Sequence, residues 1–268
     1  MAELEPARTL QRTRHGRVAL DLGTARTRAL TSSGVAIADR PSAVVASPPV
    51  AGAADPVRPI RHGMVADPGA CRRLVRLVLR DVQTAGDRSM EQVVVGVPVA
   101  ASPSDRRAVR TAVSEAAGCG VTLVEEPLAA AVGVGLDVTG SRPFLLLDVG
   151  AGIVEAVAIR DGAISDAVAI QLGATTSAGL LPYVLDGVVD MTAALLRRLP
   201  AQLRAAARGN GLTVTGGGAL QAQLLNRLDT VLRMPVSTPP EPQHATVRGL
   251  MRLCQRPPLA SGIAARGR

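Results

Sequence analysis

Three short segments carry residue types suited to binding phosphate. Asp21-Leu-Gly-Thr24 and Asp148-Val-Gly-Ala-Gly152 each place an acid ahead of glycine, between two apolar runs. Thr215-Gly-Gly-Gly218 sets three glycines between an apolar run and a helix-like stretch. Glycine admits backbone angles that aim successive amides into one concavity, and it lets that backbone touch a ligand. Such amide nests bind phosphate oxygens, and a helix N-terminus adds its positive dipole end. An Asp leading each hairpin can hold Mg²⁺, usually through water, because this ion keeps much of its hydration shell. Singly, each segment also reads as a glycine turn, with Asp21 and Asp148 accepting backbone amides in the first two. The three together, in this order and spacing, are far more specific.

Positioning these segments requires strands and helices in a definite order. Arg17–Leu22 and Thr27–Thr31 read as strands around the first turn, with Val35–Ala38 and Ala43–Ala46 extending the sheet. Residues 47–59 read as a Pro-, Ala- and Gly-rich loop. From Pro68, apolar residues recur at helical spacing up to Val82, with Gly86 as a cap. Gln92–Val97 is a buried strand. Ser102 and Asp105 form a capping box for a helix that Gly118 stops. Val121–Val124 is a strand, and Glu126-Pro127 opens a helix with proline at a favoured position. Phe144–Asp148, Ile153–Ile159 and Ala163–Ile170 make a second strand cluster. A single helical segment follows, striped from Leu181 to Leu199. Then come strand Leu212–Thr215, the triple-glycine turn, and helix Ala219–Leu228. Strand clusters followed by helices, met twice, predict an α/β protein with two related halves.

Composition narrows the class. All 30 basic residues are arginine, and there is one Phe, one Tyr and no Trp, so Ala, Val and Leu must build the core. The net charge of +8 favours anionic partners. Nucleic acid is not expected, because the arginines are scattered and stacking aromatics are nearly absent. Cys71, Cys119 and Cys254 lack metal spacing and suit a reducing cytoplasm. The longest uncharged stretch, Ala167 to Leu185, contains Gln, Thr, Ser, Gly and Pro and is a poor membrane span.

The order of the motifs resembles the MreB/Mbl family of bacterial actin-like, rod shape-determining proteins, within the actin, Hsp70 and sugar-kinase superfamily. Val18-Ala-Leu-Asp-Leu-Gly-Thr-Ala25 matches that family's first phosphate motif, and Pro59–Asp67 the stretch before its long helix. Val97-Pro98 with Arg106–Val109 matches the next strand and helix. Glu125-Glu-Pro-Leu-Ala-Ala-Ala-Val-Gly-Val-Gly135 is the most specific match, to the connecting motif. Asp148–Gly152, with Glu155, falls on the second phosphate motif, Thr215–Leu220 on the adenosine motif, and Gly249 on the returning helix. The resemblance covers residues 17 to 252.

It implies an α/β, actin-like (ribonuclease H-like) ATPase fold with two halves around a nucleotide cleft. Residues 17–140 with a return helix at 243–254 form the first half, residues 141–242 the second, and 1–16 and 255–268 are disordered tails. ATP with Mg²⁺ is the implied cofactor. Asp21, Gly23, Thr24, Ala25, Asp148, Gly150, Ala151, Gly152, Gly216, Gly217 and Gly218 would bind nucleotide, with Asp21 and Asp148 near the metal. Glu126, with Glu125 beside it, would orient the attacking water; a carboxylate at a helix start is the plainer reading. Implied partners are further copies or a full-length relative, and the wall-synthesis machinery at the inner membrane.

Four departures from the family pattern weaken that site. Arg26 replaces Asn, and its guanidinium either grips phosphate or fills the space. Ala151 replaces Gly, and Ile153 replaces a hydroxyl residue. The short passage from Gly173 to Leu212 leaves no room for the upper subdomain, so the second half reads as truncated. Similarly shortened relatives in spore-forming actinomycetes imply a role in cell shape or spore-wall assembly. A nucleotide-independent scaffold, or a short Hsp70-like protein of the ethanolamine-utilisation type, are the alternatives. The protein is expected in the cytoplasm. Its tail, with Arg8, Arg12, Arg14, Arg17, Leu4 and Leu10, either rests on the inner face of the plasma membrane or is solvated.

Overall fold

The computed structural model describes residues 16–32, 36–45, 55–83, 90–172 and 181–256. Strands β1 (Gly16–Leu22), β2 (Arg26–Thr31) and β3 (Ala38–Pro41) open the first half. A small hairpin, β4 (Ile60–Arg61) and β5 (Met64–Val65), precedes helix α1 (Pro68–Gln83). Then come β6 (Met90–Val97), α2 (Pro103–Ala117), β7 (Gly120–Glu125) and α3 (Glu126–Val134). The second half begins with β8 (Phe144–Val149), β9 (Ile153–Arg160) and β10 (Ala163–Gln171). Helices α4 (Pro182–Arg198) and α5 (Ala201–Asn210) lead to β11 (Leu212–Thr215), α6 (Ala222–Leu232) and β12 (Val236–Ser237). Helix α7 (Ala245–Gln255) then returns to the first half.

The two halves repeat one topology. The sheets run β3-β2-β1-β6-β7 and β10-β9-β8-β11-β12. In each, three antiparallel strands continue into two parallel ones. Between β10 and β11 the described residues hold only two helices, so the second half is one sheet with its covering helices.

Alternation along the central strands assigns their faces. Val18, Leu20 and Leu22 of β1 pack with Leu74 and Val78 of α1 and Val109 and Val113 of α2. Leu145, Leu147 and Val149 of β8 pack with Val188 and Leu195 of α4 and Leu224 and Leu228 of α6. Ala19 and Leu146 point the other way, into a middle layer built from α3 and α7. The same alternation turns Asp21 and Asp148 inward, at the far ends of the two central strands.

The middle layer is thin because α3 and α7 touch through backbone. A Cβ added at Gly133 would stand 1.9 Å from the Ala245 carbonyl oxygen. One added at Gly249 would stand 1.7 Å from that of Ala129. Only glycine fits at either position, and the small side chains Ala129, Ala130 and Ala131 are fully buried around them.

Several boundaries differ from the sequence expectation. The sheet continues at Ala38–Pro41, a charged strand, and not through residues 43–45, where Val44 makes only an isolated bridge to Val57. Ion pairs from Arg26 and Arg28 to Asp39 hold that edge, and a search for apolar runs does not detect them. The single helical segment expected before Leu212 is two helices, divided at Pro200, which lacks an N–H and disfavours helix in the residue before it. The helix expected from Ala219 starts at Ala222, after a 3₁₀ turn over Gly217–Leu220. The capping box of α2 and its left-handed Gly118 cap are present as expected. Val35, Ala46, Gly86 and both tails up to Gly16 and after Arg256 lie outside the described residues.

Candidate functional site

A cleft of about 220 Å³ opens between the halves where the three glycine turns converge. Asp21, Gly23, Thr24, Ala25 and Glu126 line it from the first half. Asp148, Gly150, Ala151, Gly152, Gly216 and Gly217 line it from the second. Eleven of the thirteen residues expected at the site therefore meet there. Glu125 does not: it forms an ion pair with Arg106 at 3.1 Å on another surface. As the last residue of β7, it points away from the first residue of α3. Gly218 does not line the cleft either, because it packs on Val149, whose Cγ1 would be 2.2 Å from an added Cβ.

Each turn is built close to its neighbours. Gly150 donates its N–H to the Ile153 carbonyl at 3.0 Å and closes the second hairpin. Gly216 has φ +80°, and its N–H reaches the Pro242 carbonyl at 3.0 Å. A Cβ at Gly217 would meet no atom within 4 Å, so this backbone faces open space in the cleft. The two hairpin turns also touch each other. An added Cβ at Gly152 would stand 2.4 Å from Thr24 Oγ1. Thr24 Oγ1 accepts the Gly63 N–H at 2.9 Å, and His62 Nδ1 lies 2.9 Å from the Gly152 carbonyl. The β4–β5 turn thus joins the halves beside the cleft.

The electrostatics are those of crowded carboxyls. Asp21, Glu126 and Glu155 are buried, and Asp148 accepts a hydrogen bond from Thr215 Oγ1 at 2.9 Å. Burial, with Asp148 and Asp39 nearby, pushes Asp21 up to about 7 against the pull of Arg28. Burial raises Glu126 well above the usual range, helped by Asp21, Glu155 and Asp148. Burial raises Asp148 too, opposed by the Thr215 hydroxyl and Arg28. Glu155 rises to about 7 through burial and Asp148, opposed by the Ala100 and Val99 amides. Glu126 Oε1 and Glu155 Oε2 have no hydrogen-bond partner among the described residues. A buried acceptor without a donor is costly, so Glu126 is positioned to take a hydrogen from a molecule entering the cleft. Gly96 makes room for it, since an added Cβ there would stand 2.9 Å from Glu126 Cγ.

Several lining residues were not singled out from the sequence: Arg28, Gly63, Gln243 and Thr246. Arg28 had a readable signal, because it lies directly across the β1–β2 hairpin from Asp21. Its Nη1 is 3.7 Å from Asp21 Oδ2 and its Nε 3.2 Å from Asp39 Oδ2. Arg26 turns to Asp39 as well, with Nε 2.6 Å from Oδ1. Both arginines line the cleft, held by Asp39. Among the described residues no group of three or more acids, histidines or cysteines is placed to hold a metal ion; Asp21 and Asp148 both face the cleft, as acids that could hold Mg²⁺ through water.

The family model described as MreB/Mbl protein matches residues 50–179 and 175–260. The cell shape-determining protein MreB of Escherichia coli (strain K12) is 30% identical over 118 residues, covering 44% of this chain and 34% of that protein. The aligned region thus spans about a third of the curated relative's length. Among solved structures, MreB5 of Spiroplasma citri bound to ADP is similar with a TM-score of 0.79 at 18% identity, over 95% of this chain and 99% of that one. The MamK double helical filament is similar with a TM-score of 0.69 at 15% identity, over 90% and 99%. The repeated sheet topology is the actin-like fold of these structures, and the family match extends over most of the described residues. The chain belongs to the MreB/Mbl family.

Proposed function

We propose that the protein is a cytoskeletal, actin-fold protein whose cleft binds an adenine nucleotide and whose assembly depends on that binding. The observation that carries this reading is the convergence of three glycine turns from two like halves on one cleft. A volume of about 220 Å³ is smaller than the roughly 300–1,000 Å³ of pockets that enclose a whole drug-sized ligand. The enclosed part therefore suits a phosphate chain, with the nucleoside toward the open mouth. Gly23 to Ala25 and Gly150 to Gly152 would donate amides to the phosphates, and Gly216 and Gly217 would flank the nucleoside. Glu126, with its free Oε1, would hold the attacking water if the nucleotide is hydrolysed. The relatives support this: S. citri MreB5 is a nucleotide-bound neighbour, and MamK forms a double helical filament.

Assembly would be with further copies or with a full-length relative, in the cytoplasm at the inner face of the membrane, beside the wall-synthesis machinery. The biological output would be cell shape or spore-wall construction. No helix among the described residues is long and apolar enough to cross a membrane, so attachment would be peripheral. The test is sedimentation of the full chain with ATP, ADP or no nucleotide, alone and with a full-length relative. Nucleotide-dependent pelleting is expected, and no pelleting in any mixture would contradict it.

A second reading has its own observation. Thr24, Gly63, His62 and Gly152 tie the two turns to each other directly through protein atoms. Such a lock suits a scaffold that keeps the fold without a nucleotide. Pelleting of equal extent with and without nucleotide would favour it.

A further inference from the structure

The two halves are related position by position. Asp21 begins the first hairpin turn and Asp148 the second, and each faces a residue seven positions later across its hairpin. In the second half that residue is Glu155, which pairs across β8 and β9 with Asp148. In the first half it is Arg28, which pairs across β1 and β2 with Asp21. One half therefore carries a cation where the other carries an acid. The Arg28 side chain is only 14% exposed, and Asp21 only 10%. It is anchored at the back by Asp39, which also holds Arg26.

We propose that the Arg28 guanidinium is the resident cation of the cleft: it lines the cleft between Asp21 and Asp39, and its charge takes the place of a hydrated divalent ion beside Asp21, so the site takes nucleotide phosphates without Mg²⁺. A guanidinium next to Asp21 does what the ion's charge would do, which is to neutralise the acid and leave positive potential facing the phosphates. It also repels a divalent ion, since like charges a few ångströms apart in a partly buried site interact strongly. Asp21, Asp148 and Arg28 line the same cleft, so both acids available to the ion face the guanidinium's side of it. The phosphate consequence holds only if the cleft takes a nucleotide, as proposed above; the exclusion of the ion does not depend on it.

The experiment has two arms on the full chain. In the first, Mn²⁺ stands in for Mg²⁺, and loss of its free-ion paramagnetic signal reports uptake. The protein should take up no Mn²⁺ below about 1 mM, Arg28→Leu should bind it at least about tenfold more tightly, and Arg28→Lys should stay closed. Uptake by the unaltered protein as tight as by Arg28→Leu would overturn the proposal, as would an Arg28→Leu variant that is folded by circular dichroism and remains closed. In the second arm, binding of fluorescent ADP is followed by anisotropy in Mg²⁺ and in EDTA. The two affinities should agree within about threefold, whereas a tenfold or greater loss in EDTA would overturn the proposal even if Arg28→Leu fails to fold. Absence of ADP binding in both buffers would defeat the nucleotide reading, and with it Mg²⁺-free phosphate binding; the Mn²⁺ arm would still decide whether Arg28 excludes the ion.

Discussion

Three carboxyls, Asp21, Glu126 and Asp148, line one cleft, Glu155 is buried across the strand pair from Asp148, and each of the four is pushed toward its neutral form by burial. Their folded-state proton affinities exceed those in the unfolded chain. They therefore favour the fold fully below the unfolded carboxylate range, and that contribution is lost as pH rises through about 7. The denaturation midpoint should fall between pH 5 and pH 8, and Asp21→Asn should flatten the fall; a midpoint that rises over this window would refute the cluster. Glu126 separates stability from function most clearly. Glu126→Gln removes a buried ionisable group, so at pH 8 it should stabilise the protein by about 1 kcal/mol or more. The same change should slow any ATP hydrolysis by about a hundredfold, the range for loss of a positioned acid or base. Denaturant titration and phosphate release measure the two effects on one sample. The acids Asp21 and Asp148 were legible in the sequence because glycine marks their turns. Arg28 was not, because its meaning lies in a cross-strand register that apolar patterning does not report. The resemblance put Glu126 in the water-orienting position, with Glu125 only as its neighbour. Only the change from strand to helix between them decides which one faces the cleft.

Elements whose signal is local were read nearly to the residue. The capping box at Ser102 and Asp105, the Gly118 stop and the proline in the first turn of α3 are chemical marks that need no partner. What went unread depends on contacts. Strand β3 is an edge held by Asp39 ion pairs, β12 is a two-residue strand paired to β11, and the α4–α5 break follows from a single proline within a continuous apolar stripe. The crossing of α3 and α7 is the element-scale feature with the sharpest consequence. Both signal glycines could be seen, but their mutual contact could not. Gly249→Ala places a methyl against the Ala129 carbonyl, at a distance where backbone must move. It should cost about 3 kcal/mol or more, the upper end for overpacking a tight core. Gly209→Ala has nothing within 4 Å of its added Cβ and should be neutral or slightly stabilising. Comparable denaturation midpoints for the two variants would contradict the crossing.

At the scale of the whole molecule, one topology used twice explains why the site exists. Each half ends its central strand in an acid and a glycine turn, and the shared α3–α7 layer brings those ends together across the cleft. The passage from β10 to β11 holds only helices among the described residues, and the described lining beside the phosphate turns is the Gly216-Gly217 turn with the return segment at Gln243 and Thr246. Affinity should accordingly rest on the phosphates, with ATP and ADP far above AMP. The most direct measurement is a calorimetric titration of ADP into the full chain, repeated with Asp148→Ala and with AMP. The account predicts saturable one-to-one binding of ADP, weakened at least about tenfold by the loss of one phosphate with AMP, and altered by Asp148→Ala. No heat of binding for ADP at millimolar concentration, or equal binding of ADP and AMP, would contradict it.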